Sequence, residues 1–171
     1  MNATFPQVKL RAIEPEDLDL LYQIENDSSV WGVGMTNVPY SRYLLHNYVS
    51  NATGDIYTDK QVRLIVDNAD GDAVGIVDLM NFDPKNNRAE VGIIIELPYR
   101  RRGMAEIALR QLHQYAKTVL HIHQLYAYVD EANVPSVSLF RKLGYACCNK
   151  LSEWLFDGEN YHDALLFQII L

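Results

Sequence analysis

The feature that most constrains the fold is one amphipathic helix pattern with a β-strand pattern on each side. A run of extended character, Arg88–Ile95, precedes this helix, and a shorter one, Leu125–Val129, follows it. Between them, apolar side chains recur at helical spacing for about four turns. These are Ala105, Ala108, Leu109, Leu112, Tyr115, Ala116 and Val119. The pattern predicts strands with a long helix packed on them.

The remaining elements follow the same two periodicities. A helix begins at Glu14–Asp17, because proline suits the first turn and acids complement the positive end of the helix dipole. A second helix begins at Ser41, and Gly144 ends the last one in a left-handed cap. The predicted order is β-α-α-β-β-β-α-β-α-β-β, with elements at Val8–Leu10, 14–25, 41–49, Val62–Val66, Ala73–Leu79, Arg88–Ile95, 105–119, Leu125–Val129, Pro135–Leu143, Tyr145–Trp154 and His162–Ile170. This order predicts an α/β (α+β) fold with a mixed, mostly antiparallel seven-stranded sheet and about four helices.

Length and composition limit the class of protein to which this chain can belong. A chain of 171 residues without repeats or linkers is expected to form one domain, 1–171. The net charge of −7 argues against a nucleic-acid partner. Cys147 and Cys148 are adjacent and form no disulfide framework, which favours a reducing interior. With no signal-like start and no run of ~18 apolar residues, we expect a cytoplasmic protein without a membrane partner.

The loop between the predicted strand Arg88–Ile95 and the long helix is suited to bind an anion. Arg100–Arg102 supply positive charge, and Gly103 lets the backbone come close to a ligand at the start of the helix. A helix N-terminus has free N–H groups and a partial positive charge, which favours a di- or triphosphate. The alternative is a solvated arginine cluster before an ordinary turn glycine. Neither a Walker loop nor a dinucleotide fingerprint is present.

A second polar segment follows the next strand. Asn133 and Ser136 lie at the start of a helix that also carries Phe140 and Lys142. Asn133 is placed either to cap this helix or to meet a ligand amide. On its own, the segment is equally consistent with a capped helix that has no ligand.

Together these two segments resemble a known superfamily. The pattern Arg100-x-x-Gly103-x-Ala105 after a strand, then Asn133-x-x-Ser136 and Leu139–Tyr145, is similar to that of the GNAT acyl-CoA-dependent N-acyltransferases. Within it, the segments Val8–Glu14, Asn87–Ile95 and Gly158–Ala164 resemble bacterial spermidine/spermine acetyltransferases and the enzymes that acetylate ribosomal-protein N-termini.

The resemblance implies acetyl-CoA as cosubstrate and a sheet splayed between the fourth and fifth strands. The pantetheine arm is expected in that splay, the pyrophosphate on the loop, and the last helix on the far side of the cofactor. The implied cofactor-binding residues are Ile93, Ile94, Ile95, Arg100, Arg101, Arg102, Gly103, Met104, Ala105, Glu106, Asn133, Ser136, Phe140 and Lys142. A homo-oligomer is also implied.

The chemistry requires a base, because an alkylamine with a pKa near ~10.4 is mostly protonated at pH 7. Glu90 is the candidate general base, acting through water. Its alternative role is a strand carboxylate paired with Arg88 or facing solvent. Where many relatives have a tyrosine proposed as general acid, this chain has Phe140, which has no proton to give.

The acceptor is less well constrained by sequence. Met35–Tyr40 lacks the adjacent acids that the polyamine enzymes carry before Pro-Tyr. Asp27, Asp55, Asp59 and Asp78 are possible replacements. We expect a small polyamine as the acceptor. The alternatives are a protein N-terminal α-amine, or a non-catalytic acyl-CoA-binding sensor suggested by Phe140.

Overall fold

The computed structural model describes residues 6–28 and 38–171 of the chain. The strands are β1 (Lys9–Ala12), β2 (Val62–Asp67), β3 (Ala73–Asp83), β4 (Arg88–Ile95), β5 (Gln124–Asp130), β6 (Ala146–Phe156) and β7 (Tyr161–Ile170). The α-helices described are α1 (Leu18–Asn26), α2 (Arg42–Asn51), α3 (Ile56–Asp59), α4 (Met104–Thr118) and α5 (Val134–Lys142). Short 3-10 helices cover Pro15–Asp17 and Leu97–Tyr99. The predicted fold class is confirmed.

All seven strands belong to one sheet in the order β1-β2-β3-β4-β5-β7-β6. Every neighbouring pair is antiparallel except β4 and β5, which run parallel. These two strands pair only at Arg88–Gln124, Ala89–Leu125 and Glu90–Tyr126. Beyond Glu90 they separate, which confirms the expected splay.

Helices cover the two faces of the sheet unequally. On one face α4 packs over the centre, and its Ala108, Leu109 and Leu112 lie in the larger core cluster. On the other face α1 and α2 form a smaller cluster with Ile65 and Ile76. Because side chains alternate along a strand, β4 directs Ala89, Val91 and Ile95 to the α4 face, and Glu90, Gly92 and Ile94 to the α1/α2 face.

Side-chain caps fix several of the helix starts. The Ser41 hydroxyl accepts a hydrogen bond from the Leu44 N–H at 3.1 Å, as the sequence predicts for α2. Asp55 caps α3 in the same way, through the N–H groups of Tyr57 and Thr58. Gly144 has φ +89° and ends α5 in the expected left-handed conformation. Of the helices in residues 6–28 and 38–171, none combines the length and apolar character that a membrane crossing requires.

Two expectations about the helices need correction. The sequence indicated about four helices, and the structure adds α3, whose single turn is too short to show a periodicity. The spacing of Leu44, Leu45, Tyr48 and Val49 in the sequence predicts that these four residues form one apolar side of α2. Only Leu45 is buried, whereas Leu44 is 52% exposed, because α2 contacts the sheet along a narrower stripe than predicted.

A buried ionic cluster joins both helices of the α1/α2 face to the sheet. Arg63 of β2 donates from Nε to Asp78 of β3 at 2.7 Å and from a terminal nitrogen to Glu25 of α1 at 2.5 Å. Its guanidinium carbon lies 5.6 Å from the ring centre of Tyr48 in α2. One side chain therefore connects two strands and two helices.

Candidate active site

The opening between β4 and β5 is lined by backbone groups whose direction follows from the strand pairing. The Glu96 N–H donates to the Val74 carbonyl of β3 at 2.9 Å. In an antiparallel pair such bonds alternate, so Ile94 also directs its backbone at β3, whereas Ile93 and Ile95 direct theirs into the opening. Of the three expected cofactor-binding residues on this strand, Ile93 and Ile95 thus have N–H groups facing the opening, and Ile94 does not.

Two positions on this side of the site favour glycine, each for a different structural reason. A Cβ at Gly75 of β3 would lie 2.2 Å from the Ile94 carbonyl oxygen, so only glycine permits the close approach of β3 to β4. Gly103 has φ +79° and is the N-cap of α4. No side chain caps this helix, and its first intrahelical bond is made by the Ile107 N–H. Within residues 6–28 and 38–171, the preceding N–H groups of Met104, Ala105 and Glu106 therefore have no intrahelical partner and can meet an anion.

The arginines before α4 are exposed but partly held. Arg100 donates from Nε to the Ile95 carbonyl at 2.7 Å, which ties the loop to the end of β4. Arg101 has a left-handed φ of +60°, and Arg102 lies over the ring of Tyr99 at 5.6 Å. All three arginines thus lie in the loop that joins the end of β4 to the first turn of α4.

The second polar segment lies across from this loop on α5. The Asn133 side chain accepts from the Ser136 N–H at 3.2 Å, so of its two expected roles the structure shows the helix cap. Lys142 forms an ion pair with Glu106 of α4 at 2.6 Å, and Glu106 also pairs with Arg110 at 3.0 Å. Hydrogen bonds from Lys142 and then Arg110 lower the pKa of Glu106. This ion pair joins the first turn of α4 to the last turn of α5.

Phe140 lies in the core rather than on an open surface. It is 4% exposed and packs edge-on against Tyr145 at 4.9 Å and stacked with Phe167 at 5.8 Å. The Tyr145 hydroxyl is 2.8 Å from Nε2 of His113. Burial lowers the pKa of His113 to about 4, so the ring is neutral at pH 7. The hydroxyl next to Phe140 is therefore already engaged.

Glu90 lies at the point where β4 and β5 part. It is half-buried on the α1/α2 face, and Asn81 donates to its carboxylate at 2.8 Å. Asn81 reaches this position because β3 bulges between Met80 and Asp83. Burial raises the pKa of Glu90, and the Asn81 hydrogen bond opposes that rise. The alternative pairing with Arg88 is wrong, because Arg88 pairs with Asp83 at 3.2 Å.

Three aromatic side chains beside Glu90 were not predicted as functional. Tyr126 of β5 is directly opposite Glu90 in the parallel pair. Its ring centre is 5.8 Å from that of Tyr128, which is 5.6 Å from Trp154 of β6. The sequence signal was the alternation Tyr126-x-Tyr128 on one strand, but nothing in the sequence connects it to Trp154.

The other candidate residues fall away from this opening or outside the described residues. Asp55 caps α3, Asp59 accepts from Thr53, and Asp78 binds Arg63. Met35–Asn37, where the acids of the polyamine enzymes are missing, lies outside the described residues.

Known proteins resemble this chain over most of its length. A family model described as an acetyltransferase (GNAT) domain matches residues 7–146. The spermidine N(1)-acetyltransferase of Escherichia coli (strain K12) is 32% identical over 162 residues, 92% of this chain and 83% of that protein. The crystal structure of spermidine N-acetyltransferase from Vibrio cholerae in complex with CoA and spermine has a TM-score of 0.84 at 25% identity and covers 96% of this chain and 95% of that one. A dodecameric structure of the Vibrio cholerae enzyme has a TM-score of 0.81 at 25% identity, over 96% of this chain and 94% of that one.

Proposed function

The chain belongs to the GNAT acetyltransferase family and is an acetyl-CoA-dependent N-acetyltransferase; from this premise we propose that its acceptor is a primary amino group of a small polyamine such as spermidine. The observation that carries the proposal is a half-buried carboxylate, Glu90, at the parting of β4 and β5, in a chain similar along 92% of its length to a spermidine acetyltransferase. The amine attacks the thioester directly, so Cys147 and Cys148 are not needed as nucleophiles.

The steps assign roles to a few groups of this chain. The amine must lose a proton to attack, and Glu90 accepts that proton through a water molecule. The Ile93 and Ile95 N–H groups, directed into the opening, are placed to bind the pantetheine arm and the oxyanion. Phe140 gives no proton to the departing thiolate. A thiol with pKa near ~8.5 can leave as thiolate and take its proton from water.

In the proposed complex, acetyl-CoA is held at the N-terminal end of α4 and beside α5. The free N–H groups after Gly103, with Arg100–Arg102 beside them, suit a pyrophosphate. Lys142, at the last turn of α5, is paired with Glu106 and so holds α5 beside the first turn of α4, where the pyrophosphate is proposed to bind. Asn133, Ser136 and Phe140 then shape the neighbouring wall.

Changing Gly103 to aspartate is expected to weaken CoA binding about tenfold or more, which corresponds to at least about 1.4 kcal/mol. The new carboxylate would stand at the helix end where the pyrophosphate is proposed to bind, and like charges repel there. Isothermal titration of the purified variant with CoA measures the dissociation constant.

Gly158→Asp is the matched control, because Gly158 also has a left-handed φ, +106°, but lies in the turn between β6 and β7. Both variants lose about 1–2 kcal/mol of stability from the strained backbone, so only an effect on binding separates them. Equal CoA affinity in the two variants would exclude the pyrophosphate assignment.

The acceptor class is tested by thiol release from acetyl-CoA with a panel of amines. We expect the highest kcat/KM with spermidine and spermine, and much lower values with a peptide that has a free N-terminus. A preference for the peptide would favour the N-terminal α-amine alternative. Binding of acetyl-CoA without turnover on any amine would favour a non-catalytic sensor, the alternative that Phe140 motivates.

We also propose that residues 1–171 form a single domain, that it acts in the cytoplasm, and that it assembles as a homo-oligomer. The dodecameric Vibrio cholerae structure supports the last point. Light scattering after size-exclusion chromatography gives the assembled mass.

A further inference from the structure

Tyr126, Tyr128 and Trp154, together called the aromatic row, extend from Glu90 along the sheet. Glu90 and Tyr126 are directly paired on neighbouring strands, which lie about 5 Å apart. The rings then follow at 5.8 Å and 5.6 Å. Leu125, Ala127 and Val129 of the same strand point into the α4 core, so Tyr126 and Tyr128 face the same side of the sheet as Glu90. The row is therefore continuous with the proposed base.

The row is not explained by core packing. Tyr128 is 36% exposed and Trp154 is 55% exposed, and in the described chain neither belongs to a buried cluster. Stacking two large rings against each other in solvent covers only part of their apolar surface. The remaining ring faces offer a surface that binds alkylammonium groups through cation–π attraction.

The charges on this face favour a cation over an anion. Asp130 lies two residues beyond Tyr128 and on the same face by strand alternation, so carboxylates stand at both ends of the tyrosine pair. From Tyr126 to Asp130 the strand rises about 13 Å. Arg63 is bound by both Asp78 and Glu25, so two carboxylates and one guanidinium meet on the α1/α2 face.

We propose that the aromatic row binds the part of the acceptor that does not react, an alkyl chain with one or more further ammonium groups, while its reacting nitrogen lies at Glu90. This inference rests on the proposed function and explains why the acceptor is a polyamine. A long polycation gains from the row, whereas a short monoamine reaches only Glu90. The row therefore sets the preference for polyamines over simple amines.

The test compares two acceptors in two variants, Trp154→Ala and Tyr128→Ala. For spermidine, KM is expected to rise about fivefold to tenfold in each variant, because one cation–π contact is lost. For propylamine, kcat/KM should not change, and the KM for acetyl-CoA and kcat at saturating spermidine should be retained. Trp154→Phe keeps a ring and should recover most of the affinity.

Phe156→Ala is the matched control. Phe156 is 51% exposed and lies two residues beyond Trp154 on β6, but its ring contacts Tyr161, with centres 4.9 Å apart, and does not belong to the row. It should leave KM for spermidine unchanged. Circular dichroism confirms that each variant is folded before kinetics are measured.

The outcomes separate this inference from the proposed function. Turnover of spermidine with an unchanged KM in both row variants overturns the row and leaves the function standing. No turnover of any amine by the unmodified protein overturns the function. If the row variants lose activity on both amines together with a lower assembled mass by light scattering, the row is a contact between subunits, and the inference is wrong.

Discussion

Replacing Glu90 by glutamine is expected to lower kcat/KM for the amine about 10²- to 10³-fold, the range of a lost general base. Glutamine has nearly the same shape, and its carbonyl oxygen can still accept from Asn81, so the site keeps its geometry and loses only the proton acceptor. The dissociation constant for CoA should not change, because Glu90 lies apart from the loop that binds the pyrophosphate. Steady-state kinetics with spermidine and calorimetry with CoA measure the two quantities separately.

The pH dependence of kcat/KM is a second test of the role of Glu90. Burial raises the pKa of Glu90, so in the unmodified protein kcat/KM should fall as the pH drops through a pKa above the ordinary value of a glutamate. This acid limb should be missing in Glu90→Gln. Asn81→Ala removes a hydrogen bond that stabilises the carboxylate, so the limb should move to higher pH in that variant. A full rate in Glu90→Gln would leave Glu90 as a structural partner of Asn81 only.

Replacing Arg63 by methionine is expected to lower the free energy of unfolding by about 3–5 kcal/mol, the cost of breaking a buried ion pair from one side. The side chains of Arg63, Asp78 and Glu25 are 15%, 9% and 16% exposed. Burial by itself lowers the pKa of Arg63, but the charge of Asp78 and its hydrogen bond raise it above the ordinary value. Removing the guanidinium takes away the buried cation that binds both the Asp78 and the Glu25 carboxylates. Urea denaturation followed by circular dichroism measures the loss.

Arg42→Met provides the comparison at the surface. Arg42 pairs with Asp19, but their side chains are 55% and 82% exposed, so that change should cost no more than about 1 kcal/mol. Similar losses in the two variants would show that water screens the Arg63 cluster as well. In that case the cluster does not hold α1 and α2 to the sheet.

Sequence patterns were sufficient for the elements whose periodicity is long. The alternating apolar run of β4 and the four-turn stripe of α4 gave the correct elements within one or two residues, because side-chain burial enforces each period. The splay came from resemblance instead. No local sequence pattern indicates how far a strand stays paired with its neighbour. Here β4 and β5 pair at only three positions.

The parts of the site that the sequence missed are contacts between distant segments. Asn81 reaches Glu90 only because of a bulge in β3, and a bulge has no clear sequence signature here. Trp154 meets Tyr128 through the register of β6 and β7. The ion pair between Lys142 and Glu106 depends on how α4 and α5 lie side by side. Such contacts follow from tertiary packing, and spacing along the chain does not encode them.

The short pairing of β4 with β5 has a consequence for how the molecule holds together. The sheet consists of two antiparallel blocks. One is β1-β2-β3-β4 and the other is β5-β7-β6, and the seam where β4 meets β5 has only three paired residues on each strand. In the proposed complex, the amide groups of pantetheine take the place of the missing strand partners along this seam. Acetyl-CoA then acts as a removable eighth strand, so its binding stabilises the fold by an amount that grows with the logarithm of its concentration relative to its dissociation constant.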